Sequence, residues 1–125
     1  MKILKFCFVS GMLFLGIITM ACQHEPELIP GTPEVHFQSD VMLIINSNCN
    51  VPGCHGTGDE LPGLNTYAEV SEYVKTGKPM KSKLHEVLTS NPNSEKYMPP
   101  KSKPALTSAQ IDIISMWILQ GAKDN

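Results

Sequence analysis

The chain has 125 residues, with ten lysines, no arginine, twelve acidic residues and four histidines, for a formal net charge of −2 at pH 7 with histidine neutral. That length holds one small domain. The net acidic balance argues against nucleic-acid binding, and no Ser-His-Asp or paired-carboxylate arrangement stands out to suggest hydrolytic chemistry.

From the N-terminus, Lys2 and Lys5 form a short basic region, and Phe6 to Ile18 is mostly apolar with Ser10, Gly11 and Gly16 interrupting it. Thr19, Met20 and Ala21 then lead into Cys22. This layout predicts a secretory signal over residues 1–21, too short and too one-sided for a stable membrane span. A small residue directly before a cysteine resembles a bacterial lipobox. That resemblance implies cleavage before Cys22 and lipidation of its thiol and new amino group, which anchors the protein on the periplasmic or outer-surface side of a membrane. An ordinary cleaved signal is the alternative, and both readings export the chain. Residues 22–35 are rich in Pro and Glu without apolar periodicity and predict an extended tether. The folded domain is then expected over 36–125. Cys7 leaves with the signal, so Cys49 and Cys54 are the thiols left in the domain, in a compartment that permits oxidation.

The spacing of Phe37, Val41, Ile44 and Ile45 predicts a first helix, capped by Ser39 or Asp40, that delivers Cys49 at its C-terminal end. Tyr67, Val70 and Val74 share one face of a second, with Gly77 as its stop. Leu84, Val87 and Leu88 mark a shorter third helix. The stretch "NPNSEKYMPPKSKPA" is rich in proline and cannot be regular. In the last helix, Thr107 and Gln110 make a capping box and Leu106 and Ile111 are placed for a hydrophobic staple. Ile111, Ile114 and Ile118 form its apolar stripe, widened by Trp117, and Gly121 closes it. No stretch alternates as a strand. The expected class is all-α, about four helices with long loops. The domain's aromatic residues are only Phe37, Tyr67, Tyr73, Tyr97 and Trp117. A domain this small often needs a staple, a metal or a cofactor to complete its interior.

The chemistry-bearing stretch is "NCNVPGCHG", Asn48 to Gly56. C-x-x-C-H is the attachment site of c-type haem. Two thiols add across two vinyl groups of the porphyrin, and the adjacent histidine binds the iron. Here four residues separate the cysteines, and Pro52-Gly53 can turn to absorb the added length. A Cys49–Cys54 disulfide is also feasible across such a turn in an oxidising space, with His55 then incidental. A zinc site would combine Cys49, Cys54 and His55 with another histidine such as His85, at a spacing poor for the usual zinc patterns. Within the haem reading, the second axial position needs a further donor. Met98 stands before two prolines, and Pro99 disfavours helix there, so its thioether projects from a stiff loop with no helix face to fill. Met80, also in a loop, and His85 are the rival ligands.

Together these parts resemble small class I-like c-type cytochromes, in particular exported lipoprotein forms with the longer C-x4-C-H motif. The resemblance is carried by Cys49 to His55, by Met98-Pro99-Pro100, and by Trp117-Ile118 with Gly121-Ala122, over roughly residues 37 to 122. It implies a cytochrome c-like helical fold around one covalent haem c, held by Cys49 and Cys54, with His55 as proximal and Met98 as distal iron ligand. It also implies that a proline carbonyl, here Pro62 in "LPGL", accepts the other N–H of His55. The first and last helices would cross, bringing Phe37, Val41 and Ile44 against Ile111, Ile114 and Ile118. The implied role is one-electron transfer, that of a carrier and not of an enzyme. The alternative is a haem-free exported lipoprotein that binds a partner and is stapled by Cys49–Cys54. Beyond the signal there are eight lysines against twelve acids, a net of −4. Seven of those lysines and only Glu86 and Glu95 fall between Lys75 and Lys103. That local excess of positive charge could steer docking to an acidic redox partner or simply be solvated.

Overall fold

The computed structural model describes residues 25–56, 58 and 61–125. The expected signal and Cys22 lie outside the described residues. Those that are described form four α-helices and no strand: α1 (Met42–Asn48), α2 (Tyr67–Ser71), α3 (Lys83–Thr89) and α4 (Ser108–Leu119). A π-type turn over Phe37–Val41 leads into α1, and a 3-10 turn over Pro79–Lys81 precedes α3. None of these helices is long and apolar enough to cross a membrane.

The first helical segment starts earlier than its capping residues suggested. Helical bonding begins at His36, whose carbonyl accepts from Asp40 and Val41. Neither Ser39 nor Asp40 is the N-cap. Asp40 instead reaches back, and its Oδ2 accepts the His36 N–H at 2.8 Å. The segment buries Phe37, Val41, Met42, Ile44 and Ile45, and Cys49 is the C-cap of α1, its N–H bonded to the Ile45 carbonyl at 2.7 Å.

The second helix is shorter than its apolar spacing predicted. Thr66 and Glu69 form a capping box that starts it, but it stops at Ser71. Beyond that point the backbone donors go elsewhere. Tyr73 and Val74 donate to Val70 and Ser71 in tighter turns. The Lys75 N–H bonds to the Ser82 hydroxyl at 2.9 Å, and the Gly77 N–H crosses to the Ile118 carbonyl of α4 at 2.8 Å. Ser82 is fully buried, and its hydroxyl also bonds the Lys78 carbonyl. Gly77 has φ +72°, as a turn residue in the left-handed region requires.

α4 is the best-specified element. Thr107 and Gln110 form the reciprocal capping box. At the other end the Gly121 N–H bonds Ile118 and the Ala122 N–H bonds Trp117, the Schellman arrangement, with Gly121 at φ +109°. Ile114, Trp117 and Ile118 are buried, while Ile111 is only partly so.

The core joins these pieces through three aromatic rings. Phe37 meets Trp117 at 5.2 Å between ring centroids and Tyr67 edge-on at 5.2 Å, and Tyr67 meets Trp117 edge-on at 6.4 Å. Each such pair adds about 0.5–1.5 kcal/mol beyond the area it buries. The polar tips are satisfied as well: Tyr67 Oη donates to the Ala122 carbonyl and Trp117 Nε1 to the Lys123 carbonyl, both at 2.9 Å. The first helical segment thus packs on α4 through Phe37 and Trp117.

The packed region also begins upstream of His36. The Val35 N–H donates to Gln120 Oε1 at 2.8 Å, Gln120 Nε2 donates to the Pro33 carbonyl, and Lys123 pairs with Glu34 at 2.8 Å. That lysine holds the Glu34 carboxyl below its ordinary range. The last three residues of the expected tether are therefore fastened to the end of α4.

Candidate functional site

The loop after α1 is built by its own residues. Val51 to Cys54 is a turn closed by the Cys54 N–H on the Val51 carbonyl at 3.0 Å. Pro52 and Gly53 take its two central positions, and Gly53 has φ +79°, which fits a type II turn. The His55 N–H then bonds back to the Cys49 carbonyl at 3.0 Å. The four intervening residues are consumed by the turn, and His55 returns to the end of α1. Asn50 fastens the loop from the side, its Nδ2 donating to Asn46 Oδ1 and to the Leu64 carbonyl, both at 2.9 Å.

The His55 ring is oriented by a second loop. Its Nδ1 lies 2.7 Å from the Pro62 carbonyl oxygen. A carbonyl only accepts, so Nδ1 carries a proton, and in the neutral ring the lone pair is on Nε2. That arrangement also makes Nε2 a better donor to a metal. The Cys49 thiol is partly buried, and burial, with the nearby Cys54 adding to it, pushes its pKa up to about 11. Cys49 and Cys54 both carry free thiols in this structure.

α3 and the proline-rich segment line the same cavity as this loop. The Met98 N–H bonds the Val87 carbonyl of α3 at 3.0 Å, which fixes the segment to the helix. Met98 precedes a cis peptide to Pro99, and Pro99 is buried.

The cavity has a volume of about 270 Å³. Cys49, Cys54, His55, Pro62 and Met98 all line it, and Leu64, Tyr73, Leu84, Val87 and Leu88 supply much of its apolar wall. The volume is just below the usual range of small-molecule sites, about 300–1,000 Å³. Neither Met80 nor His85 reaches it. Met80 is 46% exposed on the surface, and His85 is half-buried on α3, where burial lowers its pKa against the opposing pull of Glu25. No three His, Cys, Asp or Glu side chains among the described residues come together as a metal-holding cluster.

These residues suit a haem on chemical grounds. Two thiols, an imidazole with a committed tautomer, a thioether and apolar side chains line the same cavity. Several members of this wall escaped the sequence reading. Tyr73 sat in a segment expected to be helix. Lys83 and Lys103 belong to the lysine excess around the Met98 loop, but spacing does not tell that these two line the cavity. The Leu84/Val87/Leu88 stripe pointed to a buried face but not to what it faces.

Comparison with protein-family models, with curated proteins and with solved structures finds no match to this chain.

Proposed function

We propose that this protein is a mono-haem c-type cytochrome that transfers single electrons, with a cytochrome c-like fold, exported and held to a membrane by a lipid on Cys22. The observation that carries the reading is that Met98, far along the chain from the Cys49–His55 stretch, lines the same apolar cavity as Cys49, Cys54 and His55. Bound there, haem supplies a one-electron Fe(II)/Fe(III) couple. Cys49 and Cys54 tether it through sulfur. His55 offers Nε2 to the iron while the Pro62 carbonyl holds the proton on Nδ1. Met98 would offer a soft thioether from the proline-rich segment, a donor that favours the reduced metal and raises the potential. The apolar wall excludes water and disfavours added charge, which acts in the same direction. If His55 and Met98 both served the iron, no ligand position would be left for a substrate, which favours a carrier over an enzyme. Lysines between Lys75 and Lys103 make an acidic redox protein the fitting partner, through contacts that weaken with salt.

Visible absorption of protein matured in an exporting host tests the ligand assignment. Wild-type protein shows c-type haem bands and, when oxidised, the sulfur-to-iron charge-transfer band. Met98→Ala loses that band, while Met80→Ala and His85→Ala keep it. Persistence of the band in Met98→Ala transfers the role to Met80.

A further inference from the structure

The cavity has a second chemical character at its edge. No acidic side chain lines it among the described residues, but two lysines do, Lys83 and Lys103. They come from separate elements. Lys83 is the first residue of α3. Lys103 ends the Met98 segment, in a turn closed by its N–H on the Pro100 carbonyl at 2.8 Å. Their surroundings differ. Lys83 Nζ lies 3.1 Å from Glu86, which also meets Lys96 at 3.8 Å. Lys103 has no ion-pair partner among the described residues. An ammonium with no carboxylate partner among the described residues, beside an apolar cavity, favours an anionic group on whatever fills that cavity.

We propose that Lys103, assisted by Lys83, is a carboxylate-binding subsite that receives the acidic side arms of the cavity's occupant. This rests on the haem reading, because haem carries two propionate arms that would supply those carboxylates. Lys103 is here a positioning residue and touches no iron. Its charge acts in two linked ways. It favours the ionised propionate and so lowers the pH at which that group takes up a proton. It also offsets the negative charge that would otherwise stabilise oxidised iron, and so keeps the potential up. Both effects are screened by salt, because lysine and carboxylate meet at an open rim.

The test is the midpoint potential of the haem-loaded protein as a function of pH, at low ionic strength. Wild type is compared with Lys103→Gln, Lys103→Arg and Lys83→Gln. In Lys103→Gln the potential falls, and the protonation step in its pH curve moves up by about one pH unit, the lower end of the shift expected from a nearby opposite charge. Lys103→Arg keeps the wild-type curve. Lys83→Gln moves it less, because Glu86 already compensates that lysine. The difference between wild type and Lys103→Gln shrinks at about 1 M salt, where the screening length is only a few ångströms. A Lys103→Gln curve that superimposes on wild type overturns the subsite and leaves the haem reading standing. Protein that matures without haem bands overturns both.

Discussion

The chemistry of individual residues is set by their neighbours more than by their type. His55 is an ordinary imidazole until the Pro62 carbonyl, 2.7 Å from Nδ1, commits its tautomer. Cys49 is an ordinary thiol until α1 and the cavity wall bury it and raise its pKa to about 11. A raised pKa means that the folded chain holds this proton more tightly than the unfolded chain, whose thiol titrates near 9.0. The contribution to stability is therefore complete below the unfolded value and is lost as pH rises from there toward 11. It also predicts reactivity. In protein made without haem attachment, Cys49 alkylates more slowly than in the urea-unfolded chain at pH 8, and its rate keeps climbing toward pH 11. Equal rates in the folded and unfolded chains at pH 8 would contradict the burial argument. Thiol labelling with mass-spectrometric readout of each peptide measures it.

At the scale of elements, what could be read from the residues follows how local the determinants are. The ends of α4 were readable because they are written within a few positions: Thr107 with Gln110 at one end, Gly121 at the other. Removing that cap shows its worth. Thr107→Ala is expected to cost about 1 kcal/mol, measured by urea denaturation of the haem-loaded protein. A loss within error of zero would mean that packing of Trp117 and Ile118 alone fixes where α4 begins. α2 was misjudged because its C-terminal half is decided by distant groups, the buried Ser82 hydroxyl and the Ile118 carbonyl. Its Thr66–Glu69 box is as local as that of α4 and was equally available to inspection. The Pro52-Gly53 turn was evident from its residue types, but the return of His55 to the Cys49 carbonyl depends on three-dimensional closure that spacing does not encode. The part of the cavity lined by α3 and the Met98 segment was hidden for the same reason. Lys83 and Lys103 line one cavity, and the Met98 N–H helps to hold their two segments together by bonding the Val87 carbonyl of α3.

For the whole molecule, the shortage of large side chains noted in the sequence has a structural counterpart. The aromatic residues Phe37, Tyr67 and Trp117 are spent on one cluster that ties the first helical segment and α2 to α4. The cysteine loop, α3 and the Met98 segment contribute no aromatic pair among the described residues and line a cavity instead. Under the proposed function, a flat apolar cofactor bound to the chain would fill that cavity and supply burial that the side chains do not. Anchoring also takes on a shape. Pro33, Glu34 and Val35 are fastened to the end of α4 by Gln120 and Lys123. A lipid on Cys22 would therefore tether the domain through a shorter free segment than composition implied. The most direct test of this account is haem staining of the protein after denaturing electrophoresis, using material exported by cells that mature c-type cytochromes. The stain is expected to run with the polypeptide and to vanish when Cys49 and Cys54 are both changed to serine. An unstained band whose two thiols are instead bonded to each other would contradict it.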